Sequence, residues 1–204
     1  MIRPVNHASF VFRWNGKTVY NDPVGGASLY ASFPRPDLIL VSHGHGDHFD
    51  SATLNGVRVA ETLIIAPAAV SSSLSPALRA QTIPLANGAT TNVHGIQVEA
   101  VPAYNARHPK GAGNGYVVTV GGRRLYISGD TEDVAEMRAL RNIEVAFVCM
   151  NLPFTMSVDR AASAVREFRP RMVYPYHHRD SDVNAFKRLV GTDAGVEVRL
   201  RAWY

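Results

Sequence analysis

Residues 41–50 read VSHGHGDHFD and place three histidines and an aspartate, His43, His45, Asp47 and His48, within six positions. Imidazole and carboxylate are ligands for zinc and similar divalent metals. On an extended segment the alternating pair His43 and His45 points the same way. Gly46 then permits a sharp turn, so Asp47 and His48 can face a second point nearby. This spacing points to two metals rather than one. Structural zinc sites are mostly closed by cysteines, and the chain has a single one, Cys149. An open, catalytic type of site is therefore expected. The plain alternative is a histidine-rich surface loop that binds nothing. Four ligating residues set between glycines, directly after the apolar run DLILV, are more specific than a lone histidine pair.

The elements that must position this stretch can be read from pattern. Residues 8–13 and 17–21 are predicted strands joined at Asn15-Gly16, a hairpin turn signal. The run 37–41 fits a short buried strand that leads straight into the histidines, so the site lies where the chain leaves a sheet. Further strands are predicted at 62–66, 80–85, 96–103, 115–120, 123–128, 144–149, 171–175 and 196–201, with Gly121-Gly122 as a second hairpin turn. Helices are predicted at 132–140, 158–168 and 182–190. The middle one has Ser157 available as a cap, Ala161, Val165 and Phe168 on one face, and Pro170 beyond its end. Strands dominate the first part and alternate with helices in the second. The economical architecture is one α/β domain over residues 1–204, with sheets inside and helices outside.

The bulk numbers narrow the classes. The chain has 204 residues, 46% hydrophobic and 19% charged, enough for a packed core and unlike a disordered segment. The formal charge is +4, but no basic run exceeds two residues, as at Arg123-Arg124, so no nucleic-acid surface is read. No apolar run approaches a membrane span. One cysteine allows no intrachain disulfide, and Cys149, in EVAFVCM, reads as a buried, inert thiol. The start, MIRPVNHASF, lacks an apolar signal-peptide core, and a cytoplasmic protein is expected, although a trimmed leader would leave no trace. A small-molecule substrate is expected, with no nucleic-acid or membrane partner; a homo-oligomer is compatible with the sequence.

HGHGDH matches the H-x-H-x-D-H signature of the metallo-β-lactamase superfamily, which the chain resembles over nearly its whole length. Asp22-Pro23 resembles the first motif, whose aspartate supports the metal loop. Ser128-Gly129-Asp130-Thr131 resembles the fourth, and Tyr174-Pro175-Tyr176-His177 the fifth. Within the superfamily, AYN, HPKG, SGDT and NLPFTM are similar to the small zinc-dependent hydrolases that resemble ascorbate-6-phosphate lactonase. The resemblance implies a four-layer αββα sandwich with metals at one edge of its two sheets. It implies that His43 and His45 hold one metal, that Asp47, His48 and His177 hold the other, and that Asp130 bridges them. The family's third motif often supplies another histidine after Pro-Ala. Here the chain departs from the pattern: Pro102-Ala103-Tyr104-Asn105 puts Asn105 at that place, and His108 follows three residues later. His108 is favoured, because imidazole binds zinc better than a carboxamide does; Asn105 stays open.

The implied chemistry is hydrolysis by a hydroxide bridging two divalent metals, zinc in the first place, with manganese or iron also admitted. Asp130 and Asp47 are the catalytic carboxylates. The substrate would be a small ester, lactone or phosphoester. A nuclease of the same fold usually carries an added domain for which this chain has no room, and di-iron oxygen-reducing relatives carry a glutamate at the place of His45. A metal-binding protein without turnover is the remaining alternative. Asp22 is expected behind the ligands and His7 near the site, with a buried structural histidine as an equal reading of His7. His178 would be a pocket or supporting residue pointing away from His177. His94 is expected to be solvated. Tyr104, Tyr174, Tyr176 and Asn151 are pocket candidates. Lys110 and Arg179 could meet an anionic group, though a solvated role is expected of each. The loop 22–36 either flanks the pocket or simply crosses the surface.

Overall fold

Two sheets lie face to face in the computed structural model, which describes residues 1–204. The first holds β1 (Ile2–Asn6), β2 (Ser9–Trp14), β3 (Lys17–Asn21), β4 (Leu38–Leu40), β5 (Leu63–Ala66) and β6 (Thr82–Pro84), side by side in chain order. Its first three strands are antiparallel, and β3 to β6 run parallel. The second sheet is built from β7 (Thr90–Val93), β8 (Ile96–Asn105), β9 (His108–Val120), β10 (Arg123–Ile127), β11 (Val145–Cys149), β12 (Met172–Tyr176) and β13 (Glu197–Val198), again in order across the sheet. Its parallel half is β10 to β13.

Strand alternation explains the layering. Leu38 and Leu40 of β4, Phe10 and Phe12 of β2 and Val19 of β3 join the large core between the sheets. Their neighbours Ile39, Val11 and Tyr20 face the other way. That outward face is covered by α1 (Ser51–Val57), α2 (Ala68–Ser73) and α3 (Pro76–Arg79) through Leu54, Val57, Val70 and Leu78. The second sheet carries α4 (Ala135–Arg138), α5 (Val158–Phe168) and α6 (Val183–Val190), which contribute Met137, Val165, Phe168 and Phe186 to the large core. The result is the expected αββα sandwich. At its centre the Phe10 and Phe147 rings stack with centroids 4.2 Å apart. Cys149 is fully buried, and burial pushes its thiol up to about 12, which makes it inert.

Both hairpin turns form as expected, with positive φ at Asn15 and Gly16 and at Gly121 and Gly122. The helix at 158–168 is found at those bounds, although the Ser157 side chain makes no capping hydrogen bond to it. Other elements differ from the sequence expectation. α1, α2 and α3 are additional, so helices alternate with strands in the first half as well. They are short, and α1 contains Gly56, which the close approach of Ala27 requires: a Cβ there would lie 2.6 Å from the Ala27 side chain. The helix at 132–140 contracts to Ala135–Arg138 and the last strand to Glu197–Val198. β1 and β7 are also additional, and β9 starts at His108 rather than at 115. The loop 22–36 crosses the outer face of the first sheet, where Tyr30 stacks on Tyr20 at 5.2 Å. No helix is long and apolar enough to cross a membrane.

Phe147→Ala removes one ring of the central stack and leaves a cavity between the sheets. The expected loss is about 3–5 kcal/mol of folding stability, read from chemical denaturation; a loss below about 1 kcal/mol would show that the two sheets do not depend on this contact.

Candidate metal centre

Parallel strands bring their carboxyl ends to one edge, and ligands in such sheets bind in the crevice beyond those ends. Here β3 leads into Asp22, β4 into His43–His48, β10 into Asp130, and β12 into His177. The β8–β9 hairpin adds His108 from the other direction. The two sheets are tied together at this edge. Asn114 N–H donates to the Ser42 carbonyl at 2.9 Å, and the Tyr116 hydroxyl donates to the Val41 carbonyl at 2.7 Å.

The turn after the histidine pair is helical: the amides of His48 and Phe49 both donate to the His45 carbonyl, at 2.9 and 2.8 Å. Gly46 does not adopt a left-handed conformation, so the turn rests on this hydrogen bonding rather than on glycine's freedom. Asp22, fully buried, anchors the loop. Its Oδ1 accepts Ser42 N–H at 2.7 Å, and its Oδ2 accepts the Ser42 hydroxyl at 2.8 Å and His48 Nδ1–H at 2.9 Å.

The hydrogen bonds behind the rings decide which nitrogens face inward. His48 gives its Nδ1 proton to Asp22. His43 Nδ1 lies 3.0 Å from the Ser42 hydroxyl, and His108 Nδ1 lies 3.0 Å from Asn105 Oδ1, an acceptor only. In its neutral form each of these three rings therefore presents a bare Nε2 to the site. His43 Nε2 and His108 Nε2 both lie 3.1 Å from His45 Nδ1. At most one proton, that of His45, can lie among the three nitrogens.

A second set lies beside the first. Asp130 Oδ1 is 3.4 Å from both His48 Nε2 and His177 Nε2, and Asp47 Oδ2 is 3.7 and 3.6 Å from the same atoms. Asp130 Oδ2 turns the other way, 3.9 Å from His43 Nε2 and 3.7 Å from His108 Nε2. Four donors about 2.0–2.1 Å from a tetrahedral zinc stand about 3.3 Å from one another, and these spacings approach that figure. His48 Nε2, Asp130 Oδ1 and both nitrogens of His177 are buried without a hydrogen-bond partner, the condition a bound cation relieves. Three groups of side chains could hold an ion, the first two sharing His43: His43, His45 and His108; His43, His48 and Asp130; and His7, Asp47 and His177.

Electrostatics favours the same outcome. Burial holds His43 down to about 2 and also lowers His108, so both rings stay neutral and able to ligate. Burial opposes charge on His48 too, but Asp130 and Asp22 outweigh it and raise its pKa, so a cation there replaces a proton. Burial raises Asp130, yet His48, His177 and His43 together leave it below the usual carboxylate range. The His177 and His7 rings beside Asp47 hold it well below that range.

Every expected ligand thus gathers at one edge. Asn105 stands behind the site: its Oδ1 accepts from the backbone of Arg107 and His108, and its amide donates to the Phe154 carbonyl. His7 lies against Asp47 and His177. His178 turns away, with Nδ1 3.1 Å from the Arg179 carbonyl and its ring against Tyr204. A cavity of about 330 Å³ opens over the cluster, lined by His45, Asp47, His108, Asp130 and His177 with Arg107, Asn151, Phe154 and Arg179. Arg179, expected to be solvated, lines it. Arg107 was not singled out by the sequence; its adjacency to His108 was the available signal. Lys110 instead pairs with Glu136, which also bonds Tyr104, while Tyr174 and Tyr176 are core residues and His94 is exposed.

A family profile described as "Beta-lactamase superfamily domain" matches residues 1–177. A UPF0173 metal-dependent hydrolase of Thermococcus kodakarensis is 31% identical over 97% of this chain and 95% of its own. A crystal structure from Parabacteroides distasonis, described as a metal-dependent hydrolase, is 37% identical with a TM-score of 0.89, over 98% of this chain and 91% of that one. A metallo hydrolase of Ignicoccus hospitalis, 22% identical over 98% of this chain and 94% of that one, shares the fold with a TM-score of 0.82.

Asp22→Asn places an amide donor against His48 Nδ1–H and disturbs the tautomer that bares Nε2. Zinc affinity is expected to fall about 10–100-fold, the usual effect of losing such a supporting carboxylate, in a competition titration with a chromophoric chelator. Unchanged affinity would show that Asp22 does not orient His48.

Proposed function

The chain belongs to the metallo-β-lactamase superfamily, among its UPF0173 metal-dependent hydrolases, and from that footing we propose that it hydrolyses a small anionic ester, lactone or phosphoester at a two-metal site. The observation that carries this reading is Asp130, whose two oxygens face two separate groups of imidazole nitrogens. His43, His45 and His108 would hold one ion with Asp130 Oδ2. Asp47, His48 and His177 would hold the other with Asp130 Oδ1. The nitrogen and carboxylate donor set suits zinc, and also manganese or iron.

When bound, such ions acidify a water and polarise the bond under attack. The remaining work falls to the side chains. Asp130, with its side chain 5% exposed, spaces the two groups. Asp47, at 43%, is the carboxylate open to the cavity. Held ionised, it orients the attacking water by accepting its hydrogen at Oδ. Arg107 and Arg179 bring two guanidinium groups to a cavity whose single apolar lining residue is Phe154, which favours an anionic group on the substrate. The cavity volume suits a small molecule, and the scattered surface charge gives no track for a nucleic acid.

Metal content and turnover on phosphodiester, lactone and β-lactam chromogenic substrates test this together. Asp130→Ala and His48→Ala are each expected to lower bound metal and to reduce kcat/KM at least about a hundredfold; a variant that kept both ions and full turnover would sink the assignment. Arg179→Ala is expected to raise KM roughly tenfold for anionic substrates and to leave that for neutral analogues unchanged. An equal rise for both would remove the arginine from substrate recognition.

A further inference from the structure

Beside the ligand cluster lies a line of polar groups that the proposed hydrolysis leaves without a role. His7 follows β1 at a φ of +50° and is 6% exposed. Its Nδ1 lies 2.7 Å from the hydroxyl of Tyr204, the last residue of the sequence. The same hydroxyl oxygen accepts Arg179 N–H at 2.9 Å. On the other side of the ring, His7 Nε2 lies 3.3 Å from Asp47 Oδ2. Tyr204 is itself 60% exposed, so the contact rests on its hydroxyl rather than on a buried ring.

The donors and acceptors order this line. An ionised Asp47 can only accept, so His7 Nε2 carries the proton. That leaves Nδ1 as an acceptor for the Tyr204 O–H, whose oxygen has a lone pair free for Arg179 N–H. The Nε2 to Oδ2 line is off the N–H axis, and Nε2 has no aligned partner in this geometry; the half-exposed Asp47 side chain can turn to meet it. The imidazole pairs that share a candidate ion group or site, His43 with His45, His43 with His108, His45 with His108, His48 with His177 and His43 with His48, have centroids 4.1 to 5.0 Å apart. His7 lies on His177 at 3.8 Å, side by side with it.

We propose that Tyr204 and His7 are positioning residues: the Tyr204 hydroxyl orients the His7 ring so that its Nε2–H holds Asp47 Oδ2 in place beside His48 and His177. This rests on the reading above that Asp47 ligates a metal. By the same hydroxyl, Tyr204 also fixes the backbone of Arg179, so one side chain steadies a ligand and a cavity-lining cation.

Zinc titration of the full chain against a chromophoric chelator tests the proposal without reference to turnover. Tyr204→Phe removes one exposed hydroxyl; it is expected to keep the melting temperature and weaken the second zinc about tenfold, within the range for such supporting contacts. His7→Ala is expected to weaken it further, and His7→Gln, which keeps an amide donor at the position of Nε2, to restore most of the affinity. Wild-type affinity in Tyr204→Phe overturns the relay. A His7→Gln variant as weak as His7→Ala also overturns it and makes His7 a ligand, in the group it forms with Asp47 and His177. A wild-type chain that takes up no second zinc overturns the two-metal reading first and the relay with it.

Discussion

The arrangement depends on one buried carboxylate. Asp22 directly follows a strand of the first sheet and binds four donors, the backbone and side chain of Ser42, the ring of His48 and the side-chain amide of Asn21. Its negative charge has no direct contact with solvent, and these donors are what make its burial tolerable. In satisfying itself, Asp22 fixes where the loop after β4 begins, which nitrogen of His48 carries a proton, and through the Ser42 hydroxyl which nitrogen of His43 does. The direction of the ligating lone pairs follows from that network rather than from the histidines alone.

A second constraint acts at the centre. Bringing five imidazoles and two carboxylates to one sheet edge concentrates groups that cannot all satisfy one another. Burial keeps His43 and His108 neutral, while Asp130 and Asp22 favour charge on His48. The metal-free chain is therefore a set of competing protonation states. A pair of cations would resolve it by taking the place of protons between the rings. The polar chemistry sits at strand ends, and the core behind it is apolar, with the Phe10 and Phe147 rings stacked within it.

Much of this was legible in the sequence because the ligand-rich stretch is local. His43, His45, Asp47 and His48 lie within one turn of chain, and Asp130 and His177 each directly follow a recognisable strand. Both glycine-marked hairpins and the amphipathic α5 were readable for the same reason: their signals span a few residues. The third-motif ligand was not settled, because spacing alone does not tell Asn105 from His108. The hairpin geometry places them differently: it spends Asn105 Oδ1 on two backbone amides and the His108 ring, and sends His108 Nε2 toward His45. Short helices such as α1 hide because their stability comes from packing on the sheet rather than from propensity. The contact of Tyr204 with His7 spans 197 positions, and no local pattern announces it.

The bond from the Tyr116 hydroxyl to the Val41 carbonyl ties the second sheet to the strand end that carries the histidine loop. Residues 43–48 come from one sheet, and His108, Asp130 and His177 from the other. The centre therefore cannot be assembled within either half of the chain. Its formation must wait for the two sheets to dock, a late event in a fold dominated by distant pairings. Ion capture in this molecule reports completed tertiary assembly, and a nascent chain still lacking its second half would offer only the loop's own four donors.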